Sequence, residues 1–233
     1  PSVLTQSDQI GLGIAWSSQT DTPYASERRE QGSTDPDPLG FPAPHPEAAD
    51  SLGDRAAAWI EERMAADRKT RGDRLRWWQW LVLQRLLERR ADGSWCWPVS
   101  FVSVARQLGK TELLAELAAW RCANPDLFDG MPQEVGHCAN TVVLAKKVQS
   151  TRWSWAGELG YRIGRMTGDT TVEWPDGSTW RTMAADNTYG RSMNMLLVDE
   201  GWAWDAEDFW QATFPTMAAR PDGQAVIFSA AHE

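Results

Sequence analysis

The sequence predicts an α/β protein with a mostly parallel sheet flanked by helices. Three observations carry this: short apolar runs alternate with helix-length stretches beyond residue 92, a Gly-Lys-Thr step follows the first such run, and two acids close a later one. Ligands of such sheets bind at the carboxyl ends of the strands.

Residues 1–53 hold eight acids against two arginines and seven of the thirteen prolines. They are expected to form a disordered acidic tail, because the run STDPDPLGFPAPHP buries too little surface to offset backbone ordering. Residues 54–91 reverse the balance to ten basic and six acidic side chains and predict two helices, at 55–69 and 75–90, the second with Leu75, Trp78, Val82 and Leu86 on one face. Four buried strands are expected at 99–104 (VSFVSV), 141–145 (TVVLA), 195–198 (MLLV) and 225–228 (AVIF). Helices are expected at 111–123, 148–166 and 206–212. Residues 171–182 read as a hairpin turning at Pro175, Asp176 and Gly177.

The total charge of -9 divides into -6, +4 and -7 over residues 1–53, 54–91 and 92–233. Bulk acidity excludes a protein that coats nucleic acid by net charge alone, but not one that grips it through local basic surface. With no run of 18 apolar residues and no basic-then-apolar start, neither a membrane span nor a signal peptide is expected, which implies an intracellular protein. Cys96, Cys122 and Cys138 form no C-x-x-C pair and are expected to be reduced and buried.

The chemistry concentrates at two points. Residues Arg106, Gln107, Leu108, Gly109, Lys110 and Thr111 lie between a strand and a helix, where backbone N–H groups face phosphates. Gly109 lets the backbone approach closely, Lys110 reaches the β and γ phosphates, and Thr111 ligates Mg²⁺. The usual first glycine of such a loop is replaced by Val104. Residues 195–198 deliver Asp199 and Glu200 to the end of a second strand, Asp199 for the Mg²⁺ shell and Glu200 to orient or deprotonate the attacking water. The bland alternatives are a capped helix start and a capped turn, and the co-occurrence of the two motifs favours a nucleoside triphosphatase.

These motifs resemble the ATPase half of the large terminase subunit of tailed bacteriophages. That family's loop lacks the first glycine and carries Arg-Gln ahead of Gly-Lys-Thr, as Arg106 and Gln107 do here; its adenine motif is similar to Leu75, Arg76, Trp77, Trp78 and Gln79; and its coupling motif resembles Ser229, Ala230 and Ala231. The resemblance covers about residues 75–231. It implies a P-loop NTPase of the additional-strand, catalytic-glutamate type, with the strand after the acid pair lying between the loop strand and the acid strand. ATP and Mg²⁺ are the implied cofactors, and the implied activity is translocation of double-stranded DNA into the prohead. The implied partners are the portal protein, the small terminase subunit and further copies in a ring, in the host cytoplasm, with no membrane.

Site roles follow from the same resemblance. Ser229 either senses the γ phosphate or merely ends a strand. Gln79, with Arg76 one turn away, either reads adenine or packs its helix. Arg191 is either an arginine supplied to a neighbouring subunit or a surface ion pair, and Arg106 reaches its own subunit's nucleotide or senses its hydrolysis. The domain is expected to occupy residues 54–233 and to be incomplete at its C-terminus, without the lid and the ribonuclease H type nuclease, so that ATP affinity and turnover are weak. A helicase-like ATPase and a non-hydrolysing nucleotide-binding assembly module are the competing readings.

Overall fold

The computed structural model describes residues 40–67, 74–166, 168–184, 191–201 and 219–230, with helical positions 207, 211, 215 and 217. Its elements in chain order are β1 (Asp50–Ser51), α1 (Gly53–Ala66), α2 (Trp77–Leu86), β2 (Glu88–Arg89), β3 (Val99–Val104), α3 (Lys110–Ala123), β4 (Glu134–Cys138), α4 (Val142–Ser150), α5 (Trp153–Glu158), β5 (Arg162–Arg165), β6 (Thr170–Glu173), β7 (Thr179–Met183), β8 (Met195–Val198) and β9 (Gln224–Ala230).

Seven strands form one sheet in the order β3-β9-β8-β4-β7-β6-β5. The first five run parallel, β6 pairs antiparallel with β7, and β5 pairs antiparallel with β6. As expected, β9 lies between β3 and β8, and the β6–β7 hairpin turns at Asp176, whose carboxylate accepts from the Ser178 N–H at 3.1 Å. Helix α3 is buried along nearly its whole length and packs with α1, α2 and one sheet face into the main core, around Leu113, Leu117, Trp120, Leu197 and Phe228. Residues Leu196 and Val198 of β8 point to the opposite face, into a smaller cluster with Cys138, Met183 and Met193. All three cysteines are buried and free.

Two expected elements are corrected. The run 141–145 is not a strand: Thr141 caps α4, its hydroxyl accepting from the Leu144 N–H at 3.3 Å, and Val143 is 68% exposed. The strand is β4, which reads poorly because Gly136 interrupts it. That glycine is required, since a Cβ there would lie 2.3 Å from Met193 Sδ. The helix expected at 148–166 is instead the end of α4, the short α5 and strand β5, with a left-handed Gly160 (φ 77°) closing α5. The second expected helix also stops at Leu86, because Glu88 and Arg89 pair with Ser51 and Asp50.

That pairing shifts the expected tail boundary. Residues 41–53 pack on the body: Leu52 is buried, Arg89 pairs with Asp50 at 2.7 Å, and His45 stands edge-on to Trp97. Residues 1–39 and most of the expected helix at 206–212 lie outside the described residues. Among the described residues no helix is long and apolar enough to cross a membrane.

Beneath the phosphate-loop helix lies a buried ionic group. Glu116 of α3 accepts from Arg63 of α1 through both carboxylate oxygens and pairs with Arg152 at 2.8 Å; Arg152 also pairs with Glu112. Removing one member leaves charges without partners in a low-dielectric interior. Glu116→Ala is expected to cost about 3–5 kcal/mol in urea unfolding, the range for breaking a buried pair from one side.

Candidate functional site: a cleft at the carboxyl edge of the sheet

Strand β3 ends at Val104, and residues 105–109 arch over its tip into α3. Val104, where the usual motif has glycine, is still in the strand, paired with Ala230. The arch needs two left-handed residues, Gln107 (φ 65°) and Gly109 (φ 91°). Leu108 anchors it by packing against the core. Lys110 is 7% exposed, and its ammonium donates to the Val104 carbonyl at 3.0 Å. Burial lowers its pKa, an effect that Glu200 and Asp199 oppose.

Strand β8 brings Asp199 to the same edge, 6% exposed. Its carboxylate accepts from the Thr111 hydroxyl at 3.3 Å and from the Glu200 N–H at 3.0 Å. Burial and the Glu200 charge push its pKa up, against the hydrogen bond from Thr111. Glu200 is left-handed (φ 60°), which turns the chain sharply at the strand tip. Gly201 follows because a Cβ there would lie 2.3 Å from Ile227 Cγ2. Strain of this kind gathers where geometry serves a site.

The resulting cleft, about 580 Å³, is lined by Arg106, Gln107, Gly109, Lys110, Thr111, Glu112, Asn140, Leu144 and Glu200. Of the residues expected from sequence, Arg106, Gln107, Gly109, Lys110, Thr111 and Glu200 therefore meet there, with Asp199 bonded to Thr111. Asn140 and Leu144 were missed because β4 was placed too late in the chain; a polar residue closing a strand would have been their signal. Ser229 is buried in β9 beside Ser103, outside the cleft lining. Arg191 is exposed and precedes β8, so it lies beyond the amino end of the strand whose carboxyl end carries Asp199.

Gln79 takes a different position from an open ligand reader. Its Nε2 donates to the Gly109 carbonyl at 2.9 Å, and its Oε1 accepts from the Arg76 N–H at 2.8 Å. A Cβ on Gly109 would lie 3.0 Å from that Nε2 and 3.7 Å from Arg76 Nε. Both residues of the expected adenine pair thus stand against the loop, and one Nε2 hydrogen remains for a ligand.

Neither a family model nor a curated protein matches the chain. Among solved structures it is similar to the HK97 bacteriophage large terminase, with a TM-score of 0.58 and 17% identity over 77% of this chain and 38% of that one. Its fold is that of the matching part of a large terminase. A large terminase from a thermophilic bacteriophage also aligns, with a TM-score of 0.45 and 14% identity over 57% of this chain and 34% of that one. The terminase-like chain thus spans about a third of the length of these two structures.

The site carries a stability cost that can be read out. With its pKa raised, Asp199 binds a proton more readily in the folded than in the unfolded chain, so its stabilising contribution is full below the unfolded carboxyl pKa of about 4 and is lost as pH rises through the folded-state value. The side-chain amide introduced by Asp199→Asn keeps both bonds, accepting from the Glu200 N–H and donating to Thr111 Oγ1. Without divalent cations that substitution is expected to leave stability unchanged or raise it by about 0.5–2 kcal/mol at neutral pH, the gap closing in acid, as thermal melts across pH will show. Gln79→Ala removes the acceptor of the Arg76 N–H and one of the two donors to the Gly109 carbonyl, which keeps the Leu113 N–H at 3.1 Å, and urea unfolding is expected to show a loss of about 1–3 kcal/mol, two hydrogen bonds at about 0.5–1.5 kcal/mol each.

Proposed function

We propose that the chain is the ATPase motor domain of a phage large terminase, hydrolysing ATP with Mg²⁺ to drive double-stranded DNA into the prohead. The observation that carries this reading is the meeting of Lys110 and Thr111 with Asp199 and Glu200 at the ends of β3 and β8, across β9. The backbone N–H groups of the loop and the N-terminus of α3 receive the phosphates, and Lys110 exchanges the Val104 carbonyl for a phosphate oxygen.

Thr111 and Asp199 would hold Mg²⁺. A hydroxyl and one carboxylate suit a hard cation that takes its remaining ligands from phosphate and water, and among the described residues no cluster of three metal-ligating side chains competes. Bound there, the ion would neutralise charge on the phosphate oxygens. Glu200 orients the attacking water and takes its proton as the water oxygen bonds to the γ phosphorus. The bond from that phosphorus to the bridging oxygen breaks, leaving the electron pair on ADP.

Arg106, at the cleft rim, meets charge on its own nucleotide, and Arg191 serves a neighbouring copy, since it lies at the wrong end of β8 for its own cleft. Ser229, on the strand between the two halves of the site, relays their separation. The functional unit begins with the strap at residues 41–53 rather than at 54. Portal protein, small subunit and a ring of copies are the partners, in the host cytoplasm.

Glu200→Gln is expected to bind ATP like the wild type and lose at least about 100-fold in turnover, the usual worth of a general base. Phosphate release and nucleotide titration check it, and a retained rate would falsify the role given to Glu200.

A further inference from the structure

Asn140 sits in the cleft at a point no motif marked. Strand β4 pairs in parallel with β8, Cys138 opposite Val198, and the Asp199 N–H continues the ladder by donating to the Cys138 carbonyl at 2.8 Å. Both strands end at this bond, and from their neighbouring tips Asn140 and Glu200 enter the lining of one cleft. Ala139, which precedes it in the chain, is buried, whereas Asn140 is exposed to the cleft that it lines together with Glu200 and Lys110.

A second helix starts here. Thr141 caps α4, and Leu144, in its first turn, also lines the cleft. The N-termini of α3 and α4 therefore converge on one space from its two flanks, both presenting positive dipole ends. Gln79 and Arg76 approach from behind Gly109, whereas Asn140 is on the side of Glu200, where the reacting end of a triphosphate belongs.

We propose that Asn140 is a further catalytic residue, its amide N–H donating to an oxygen of the terminal phosphate beside the water held by Glu200. An amide suits this place: it donates to the phosphate without adding a second negative charge next to Glu200, as a carboxylate would, and its carbonyl accepts from the water. This assignment rests on the reading of the cleft as an ATP site. It makes Asn140 responsive to the γ phosphate alone, which a residue that merely supports the strand tip would not be.

The test compares binding of ADP and of ATPγS, with Mg²⁺, to the whole chain by calorimetry. Asn140→Ala is expected to weaken ATPγS about tenfold, the worth of one hydrogen bond to a charged group, and ADP by less than about twofold. Asn140→Asp should weaken ATPγS further, with ADP again spared, and both variants should keep the wild-type melting profile. Equal losses for the two nucleotides, or no loss for either, overturn the assignment. Lys110→Ala separates the two levels of the argument. If it abolishes binding while Asn140→Ala changes nothing, only the role of Asn140 falls; if it leaves both nucleotides bound as before, the nucleotide reading of the cleft falls and takes this assignment with it.

Discussion

The parallel register of β3, β9 and β8 is the constraint on which the site depends. Because the three strands end on one edge, the loop after β3 and the acids after β8 face each other across a single intervening strand. The Thr111 to Asp199 hydrogen bond spans that interval between residues 88 apart in the chain. Every proposed step, from receiving phosphates to activating water, needs that spacing, and a one-residue slip of β9 against either neighbour would destroy it.

The site works against the stability of its surroundings. Lys110 and Asp199 are buried where burial disfavours their charged forms, and Gln107 and Glu200 hold left-handed conformations that side chains resist. Support comes from below and behind: α3 is buried almost throughout, Glu116 locks it to α1 and to Arg152, and Gln79 holds the Gly109 carbonyl from α2. The fold thus supplies from elsewhere the rigidity that a loop with two left-handed residues does not supply to itself.

Sequence pattern located β3, β8 and β9, although β3 is an edge strand with Phe101 64% exposed rather than the buried strand expected, and it failed where packing asked for something else. MLLV, buried on both sides, reads as a strand and is one. EVGHC hides its strand because Met193 needs the space that a side chain at Gly136 would fill, and TVVLA mimics a strand because Val143 and Leu144 stay in the open on α4. That exchange displaced the strand tip by several residues and concealed Asn140. The packed strap at residues 41–53 was concealed for a similar reason: its proline-rich composition argues against order, yet Asp50 and Ser51 find a partner strand and Leu52 a buried slot that only the assembled α2–β2 turn provides.

Local chemistry alone determined the phosphate loop, the acid pair, the α/β class and the β6–β7 hairpin, because each rests on residues adjacent in the chain whose backbone requirements are written in their side chains. The tertiary structure decided which of those residues share a cleft. It turned Gln79 from an open amide into a clamp on Gly109, set Ser229 inside the sheet, left Arg191 at the far end of β8 and brought Asn140 into the cleft that Glu200 lines. Strand order and register are set by long-range burial and hydrogen bonding, so no local pattern encodes them, and they determine which distant side chains meet.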